Sequence, residues 1–447
     1  MLEESFIKHF EGIIDPRQEG KVAHPLMSIF FIAVAAYLAN CEKWDTVVFW
    51  AESNIDWLKK YINLPNGIPS ESTFYRVFRQ VNSKEFERRF IGWTVDIASK
   101  HNSRSIALDG KTLRGAKEGS GESSLFHIVS AWASDCGLTL GFYKTDTKSN
   151  EITAIPELLK LLSIEGDVIS IDAIGTQTKI AKQIIKGNHA DYVLNLKSNQ
   201  PSMYNDAVLF FTGIDNECAM ETNKQTVQTD NSTGGTDDFN KITDVSADVK
   251  SIAKLIIKGF QGENPIAELR VNFKDFKCPP VFFEYNPLFK MTRDVGHGRI
   301  EFRYYFLVND VSWLSRHDEW EGLKSVGMVI SSITNKKTGD KSIFCRFYLS
   351  SLDDIDKFAS SVRNHWGIEA HHYILDVTFS EDRNLTHTEF GPENIALVRR
   401  AARNILKVEI DDYKNKNPKK RLSYDTLRYK ISLDTGYLEK VMIDNLL

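Results

Sequence analysis

Residues 105–115 read SIALDGKTLRG and residues 167–175 read DVISIDAIG. Each holds a short apolar run that stops on an aspartate, Asp109 in the first and Asp172 in the second. Apolar runs of this length, bounded by glycine and charge, read as buried β-strands, so both aspartates are predicted at strand ends. Outward from them, SIALD, FHIVSAWAS and LTLGFYKTD read as three successive strands. NEITAIPELLKLL is then a helix, DVISIDA a strand, TQTKIAKQIIKG a helix closed by Gly187, and ADYVLNLK a strand. The predicted order is βββαβαβ.

A third carboxylate lies far downstream. Glu369 sits in RNHWGIEAHHYILDVTFSED, a helical stretch in which His365, Glu369, His372 and Asp376 share one polar stripe at i, i+4, i+7 and i+11. A solvated helix face would read the same way. Glu369-x-x-His372 is also the spacing of di-iron bundles, but such bundles need a second Glu-x-x-His and the chain holds none. Taken singly, Asp109–Gly110 suits a hairpin turn and Asp172 a loop start or helix cap. Taken together, three carboxylates from two strands and a distant helix repel one another unless a divalent cation lies among them. That arrangement points to metal-assisted phosphoryl chemistry. Ligands of α/β sheets bind at strand ends, which favours the shared reading of the two aspartates.

At 447 residues the chain is too long for one core, and two to three domains are expected. Its apolar share of 42% and charged share of 26% are those of a soluble globular protein. A net charge of −4 gives no global basic field, so any surface for nucleic acid must be local. The five cysteines are scattered, with no pairing at zinc spacing, which points to a reducing compartment. The N-terminus lacks the basic start of a signal peptide, and LMSIFFIAVAAYLA is shorter than the roughly 20 residues a membrane span needs. A buried helix in a cytoplasmic protein without membrane contact is the expectation.

Residues 1–100 read as an all-α module: a buried helix, an amphipathic one presenting Trp44, Val47, Val48 and Ala51, and then helices beginning near Ser70 or Ser72 and at SKEFERRFIGW. Arg76 and Arg79 are expected to point outward. Residues 101–200 form the first part of an α/β core. Residues 201–350 read as a mostly β insertion with strands AELRVNF, RIEFRYYFLVND, VGMVISSITN and IFCRFYLSSL. It opens with an acidic stretch, residues 201–250, holding nine Asp/Glu against three Lys, within which TNKQTVQTDNSTGGTDDFN is expected to be a mobile loop. Residues 351–410 return to helix, with Asp353 or Asp354 placed to cap the Glu369 segment. Residues 411–447 form a tail whose stretch 413–430 carries seven Lys/Arg against one Asp.

Lys111 and Arg114 follow Asp109, and Lys197 ends the strand ADYVLNLK. Cations beside a carboxylate–metal centre can hold a phosphodiester backbone, or be ordinary exposed charges. GHGRIEFR places His297, Arg299 and Arg303 at period two on one strand face, which suits either DNA contact or solvent. A strand meander followed by α/β units is the order of ribonuclease-H-like folds, and of other α/β folds too.

Through these stretches the chain resembles bacterial insertion-sequence transposases of the ISAs type, the H-repeat-associated group linked to Rhs elements, within the DDE transposases. The resemblance runs through DPRQEGKVAHPL, NGIPSESTFYRVF, ALDGKTLRG, NEITAIPELL, IDAIGTQTKIAKQI, DYVLNLKSNQ, GHGRIEFR, HWGIE, LDVTFSED and PENIALVRRAARN. It implies a ribonuclease-H-like catalytic core, a small helical N-terminal domain and a β-rich insertion before the glutamate. It also implies an Asp-Asp-Glu triad of Asp109, Asp172 and Glu369, holding two Mg²⁺ (or Mn²⁺), with Asp109 bridging both ions. Asp172 and Glu369 stand 197 residues apart, and the β-rich segment fills that interval.

Cleavage of element ends and strand transfer into target DNA by in-line phosphoryl transfer is the implied reaction. Element terminal inverted repeats and target DNA are the implied partners, gathered by a homodimer. The N-terminal helices, the basic tail, Lys111, Arg114, Lys197, His297, Arg299, Arg303, Arg363 and His365 are the candidates for DNA contact. In related signatures an arginine stands four residues before the glutamate and a lysine seven after it; here those positions are His365 and Asp376, with Arg363 nearby. A catalytically silent DNA-binding derivative, or a nuclease of the same fold without strand transfer, are the alternatives.

Overall fold

The computed structural model describes residues 8–99, 105–118, 124–145, 151–212, 281–296, 298–384, 386 and 388–445. The acidic stretch after Thr212, the expected strand AELRVNF and His297 lie outside the described residues. The chain is mixed α/β and forms two compact units, Met1–Asp167 with Asn364–Leu447, and Val168–Arg363.

The first unit begins with helices α1 (Leu26–Leu38), α2 (Trp44–Ser53), α3 (Ile55–Leu58), α4 (Glu71–Gln80) and α5 (Ser83–Ser99). Helix α1 is apolar on every side and buried along its whole length except Met27, as such a helix must be in water. No described helix is long and apolar enough to cross a membrane. On α2 the expected face is the observed one, with Val47 and Ala51 buried and Trp44 and Val48 packed against the same core. Trp44 stacks on Phe78 at 4.9 Å, and Phe30 on Phe86 at 4.8 Å. Ser70 occupies the N-cap position of α4, but its hydroxyl meets Ser72 and Thr73 hydroxyls rather than a backbone N–H.

Three antiparallel strands follow, β1 (Ser105–Glu118), β2 (Ser124–Ala133) and β3 (Leu138–Lys144), in the order β3–β2–β1. Helix α6 (Glu151–Leu161) packs on β2 and β3.

The second unit opens with β4 (Val168–Ile171), a short helix α7 (Thr178–Lys182) continued by a π-helical turn Gln183–Gly187, and β5 (Asp191–Leu196). Strands β4 and β5 are parallel, with Ile171 opposite Leu194. After α8 (Pro201–Thr212) come β6 (Leu288–Gly296), β7 (Arg299–Val308), β8 (Ser325–Asn335) and β9 (Lys341–Ser350). The order in this unit is β4–β5–β9–β8–β7–β6, antiparallel after β5. Strand β6 has no counterpart in the sequence reading. It is an edge strand that mixes charged and apolar residues, all of them exposed or half-buried, so it lacks the buried run that marks the others. Helix α9 (Ile355–His365) begins where Asp354 Oδ1 accepts from the backbone N–H of Asp356 and Lys357, the expected cap.

The chain then returns to the first unit through α10 (Gly367–Val377), α11 (Gly391–Lys416), α12 (Tyr424–Leu433) and α13 (Thr435–Asn445). These helices share one apolar core with the N-terminal ones: Leu397, Ile405, Leu427 and Val441 belong to the same cluster as Phe30, Phe74 and Trp93. The basic segment 413–430 is therefore partly structural. Arg428 is 1% exposed, donates to the Tyr37 carbonyl and pairs with Glu42 at 2.7 Å.

Candidate active site

Asp109 lies inside β1 rather than at its end, a departure from the sequence expectation. Its backbone stands opposite Ser130, and the ladder continues to Leu113 opposite Phe126 before it shifts. The Glu151 carboxylate packs so closely on Gly110 that a Cβ there would overlap it. The run SIALD therefore ends in burial pattern before it ends in backbone pairing: Ser105–Leu108 are buried, and Asp109 and Gly110 are half-buried.

Helix α10 packs on β1, with Ala107, Trp132 and Ile368 forming a small buried cluster. Glu369 is in the first turn of α10 and exposed. One turn further on, His372 Nδ1 stands 3.6 Å from Asp109 Oδ2. Burial, with Lys111 and Arg400 nearby, pushes the His372 imidazole down to about 3, so it is neutral near pH 7 and adds no positive charge beside Asp109. His371 is fully buried, stacks on Trp132 at 4.5 Å and meets the Thr139 hydroxyl at 3.1 Å. Burial first, and then the Arg403 guanidinium, hold it neutral as well.

The expected polar stripe is broken. Helix α9 ends at His365 and α10 starts at Gly367, with Trp366 between them, so His365 and Glu369 belong to different helices. Gly367 faces Trp132, and its missing side chain admits that close approach.

Lys111 is buried, with its ammonium 2.5 Å from Asp376 and 2.6 Å from Glu381. Glu381 in turn pairs with Arg400 at 2.5 Å, and neither of these two side chains has exposed surface. Burial would raise Glu381, but Arg400 and Lys111 outweigh it and hold the carboxyl at about 2. Asp376 is raised by burial, which Lys111 only partly offsets. Lys111 thus lies in an internal chain of ion pairs, and Asp376, the position of the missing lysine, is its partner. Glu381 in TFSED and Arg400 in VRRAARN carry no expected role in the sequence.

Asp172 directly follows the last residue of β4, as expected, and its carbonyl accepts from Gly175 N–H in a 3₁₀ turn. In the second unit its carboxylate accepts from Asn195 Nδ2 at 2.9 Å and from Lys197 Nζ at 3.1 Å. Asn199 and Gln200 donate to the carbonyls of Ala173 and Thr176, and the Thr176 hydroxyl donates to the Asn195 carbonyl. DYVLNLKSNQ therefore fastens IDAIGTQ at the C-terminal ends of two parallel strands.

Of the other basic candidates, Arg303 is 8% exposed and pairs with Asp294 and Glu301, both at 2.6 Å. Its strand face carries Glu301 between Arg299 and Arg303, so it is not uniformly basic. Arg299 is exposed, and Arg363 is exposed and shares Asp294 at 3.2 Å. His365 is half-buried. The side chain of Arg114 lies outside the described ones. Asp109 and Glu369 fall in one unit and Asp172 in the other. Among the described residues no three His, Cys, Asp or Glu side chains form a group that could hold a metal ion.

A family model described as Transposase DDE domain matches residues 100–405, and one described as DDE_Tnp_1-associated matches residues 7–94. The chain belongs to the DDE transposase family. Its relatives in this transposase family include "Putative transposase YncI" of Escherichia coli O157:H7, 31% identical over 445 residues, which are 98% of this chain and 94% of that one. "H repeat-associated putative transposase YhhI" of Escherichia coli K12 is 30% identical over 406 residues, 90% and 89% of the two chains. The match to the associated region covers helices α1–α4 and most of α5, and the transposase match runs from before β1 into α11.

Proposed function

We propose that the chain is a DNA transposase that cleaves insertion-element ends and joins them to target DNA by in-line phosphoryl transfer. Its catalytic carboxylates are Asp109, Asp172 and Glu369, on a ribonuclease-H-like core with β6–β9 as the insertion before the glutamate. The observation that carries the reading is the packing of α10 on β1, which puts a strand aspartate and a helix glutamate on contacting elements. Three carboxylates are a hard-oxygen donor set of the kind Mg²⁺ takes, so the donor chemistry fits the ion that DDE enzymes use. Joining Asp172 from the second unit to the other two is part of the proposal.

When bound, Mg²⁺ supplies charge for the pentavalent transition state and acidity for the attacking hydroxyl. The chain's own residues set the conditions for it. His372, neutral and packed beside Asp109, leaves that carboxylate its full charge. The Asp376–Lys111–Glu381–Arg400 chain ties α10, β1, the turn Glu381–Arg383 and α11 together around it. Lys197 pairs with Asp172 in this structure and would pass to a DNA phosphate once a cation took over that carboxylate. Arg299, Arg363 and His365, with the exposed Lys419, Lys420 and Arg421 between α11 and α12, are the candidates for holding the DNA backbone. Two element ends imply two copies of the chain, acting in the cytoplasm.

The test is cleavage of end DNA by an Asp109→Asn variant. Mg²⁺-dependent nicking should vanish while DNA binding persists. Nicking at the wild-type rate would remove Asp109 from the reaction. Binding should also weaken steeply with salt, as phosphate contacts require.

A further inference from the structure

Strand β6 ends the sheet of the second unit, and among the described residues its outer edge is unguarded. It runs from Leu288 to Gly296 without a proline, and its register with β7 never shifts. Long edge strands are ordinarily blunted by a proline, a bulge or a covering element. The hydrogen bonds of the neighbouring strands fix which peptide groups of β6 face outward. The Lys336 N–H donates to the Gly298 carbonyl, so Arg299 and Asn335 form a non-hydrogen-bonded pair between β7 and β8. Arg299 therefore turns its own N–H and C=O toward Gly296 of β6. Alternation along β6 then leaves Met291, Arg293 and Val295 with theirs pointing away from β7. None of these three makes another backbone hydrogen bond among the described residues. The side chains of Met291 and Val295 are also 49% and 51% exposed.

A second copy of the chain fits this edge. When two identical strands pair antiparallel, outward residues must face outward residues, so the two-fold axis runs between one residue and its own copy. With the axis at Thr292, Met291 lies opposite the second copy's Arg293, and Lys290 opposite the second copy's Asp294. Symmetry repeats both pairs. Lys290 and Asp294 then hold non-hydrogen-bonded positions, where facing side chains stand closest. Both have bonding capacity left: Lys290 uses one ammonium N–H on Asp356, and Asp294 receives Arg303 and Arg363 on Oδ2 alone. An axis at Lys290, Arg293 or Asp294 would set like charges face to face, and no other axis within β6 sets opposite charges together. Charges that ordinarily repel a second strand here select a single register. We propose that β6 pairs antiparallel with β6 of a second copy about Thr292, extending the sheet of the second unit from one chain into the next. The pairing does not depend on the assigned carboxylates, so the dimer and the proposed chemistry stand or fail separately.

Sedimentation velocity of the full chain without DNA tests this. Wild type should pass from monomer to dimer as concentration rises. Met291→Pro removes an outward N–H that β7 does not use, so its melting should match wild type while the dimer dissociation constant rises at least about tenfold. Wild type that stays monomeric into the hundred-micromolar range overturns the proposal, and so does a Met291→Pro variant that dimerises as tightly as wild type. Should the proline variant fail to fold, oxidation of a Thr292→Cys variant decides. Its cysteine faces its own copy, so a disulfide-linked dimer should form, with far less from Arg293→Cys, whose cysteine faces Met291. No link through position 292, or equal linking through both positions, overturns the proposal.

Discussion

Glu381 and Glu87 are both buried acids, and their surroundings send them in opposite directions. Glu381 lies between Arg400 and Lys111 and is held at about 2 against an ordinary 4.5. A carboxyl lowered on folding stabilises the native state above its unfolded value, and that contribution is lost as pH falls through the folded one. Wild-type stability should therefore decline as pH drops from 4.5 toward about 2, and Glu381→Gln should remove that dependence. At neutral pH the same variant leaves Lys111 and Arg400 short of a partner, so denaturant unfolding should show a loss of about 3–5 kcal/mol. Glu87 is raised to about 8, so its contribution is complete below 4.5 and is lost as pH rises through 8. Glu87→Gln should make stability flat over that range, and above pH 8 the variant should melt higher than wild type. Neither environment was legible from sequence, because each depends on partners hundreds of residues away. Lys111 read as a cation next to a catalytic aspartate; only the fold brings Asp376 and Glu381 to it.

At the scale of elements, apolar patterning was sufficient for strands with buried runs and insufficient elsewhere. β1, β4, β5, β7, β8 and β9 follow the expected segments, and β4 pairs with β5 in parallel as two α/β units require. β6 was missed because an edge strand with exposed charges carries no such run. The end of β1 was misplaced for a related reason: the polar Asp-Gly-Lys-Thr stretch looks like a turn, yet its backbone stays paired with β2. The helix before Glu369 was read as continuous, because nothing in the period marks the close approach of Gly367 to Trp132 that accompanies its break at Trp366. The β6–β7 hairpin separates two kinds of arginine. Arg299→Ala should lower DNA affinity and reduce the salt slope by about one phosphate contact, with little effect on melting. Arg303→Ala should lower the melting temperature instead, since it leaves Asp294 and Glu301 facing each other. Salt-titrated binding and thermal melts of the two variants distinguish these outcomes.

For the whole molecule, the N-terminal helices and the last three helices form one core rather than a free module and a free tail. Removing residues 418–447 should therefore strip Leu427, Ile431, Leu438 and Val441 from that core and yield an aggregation-prone chain, seen by circular dichroism and gel filtration. A soluble fragment with unchanged melting would contradict the shared core. The family was legible because its motifs mark functional and fastening residues in order along the chain; the core partners of those motifs were not, because complementary packing leaves no local signal. On the proposed reading, Asp109, Asp172 and Glu369 act as one catalytic set, though they belong to two units. Single-turnover cleavage of labelled element-end DNA in Mg²⁺ tests it most directly, with wild type beside Asp109→Asn, Asp172→Asn and Glu369→Gln. Each variant should bind the DNA yet cleave at least about a thousandfold more slowly, the equivalent of several kcal/mol of transition-state stabilisation. Wild-type cleavage by any one of the three would contradict the account.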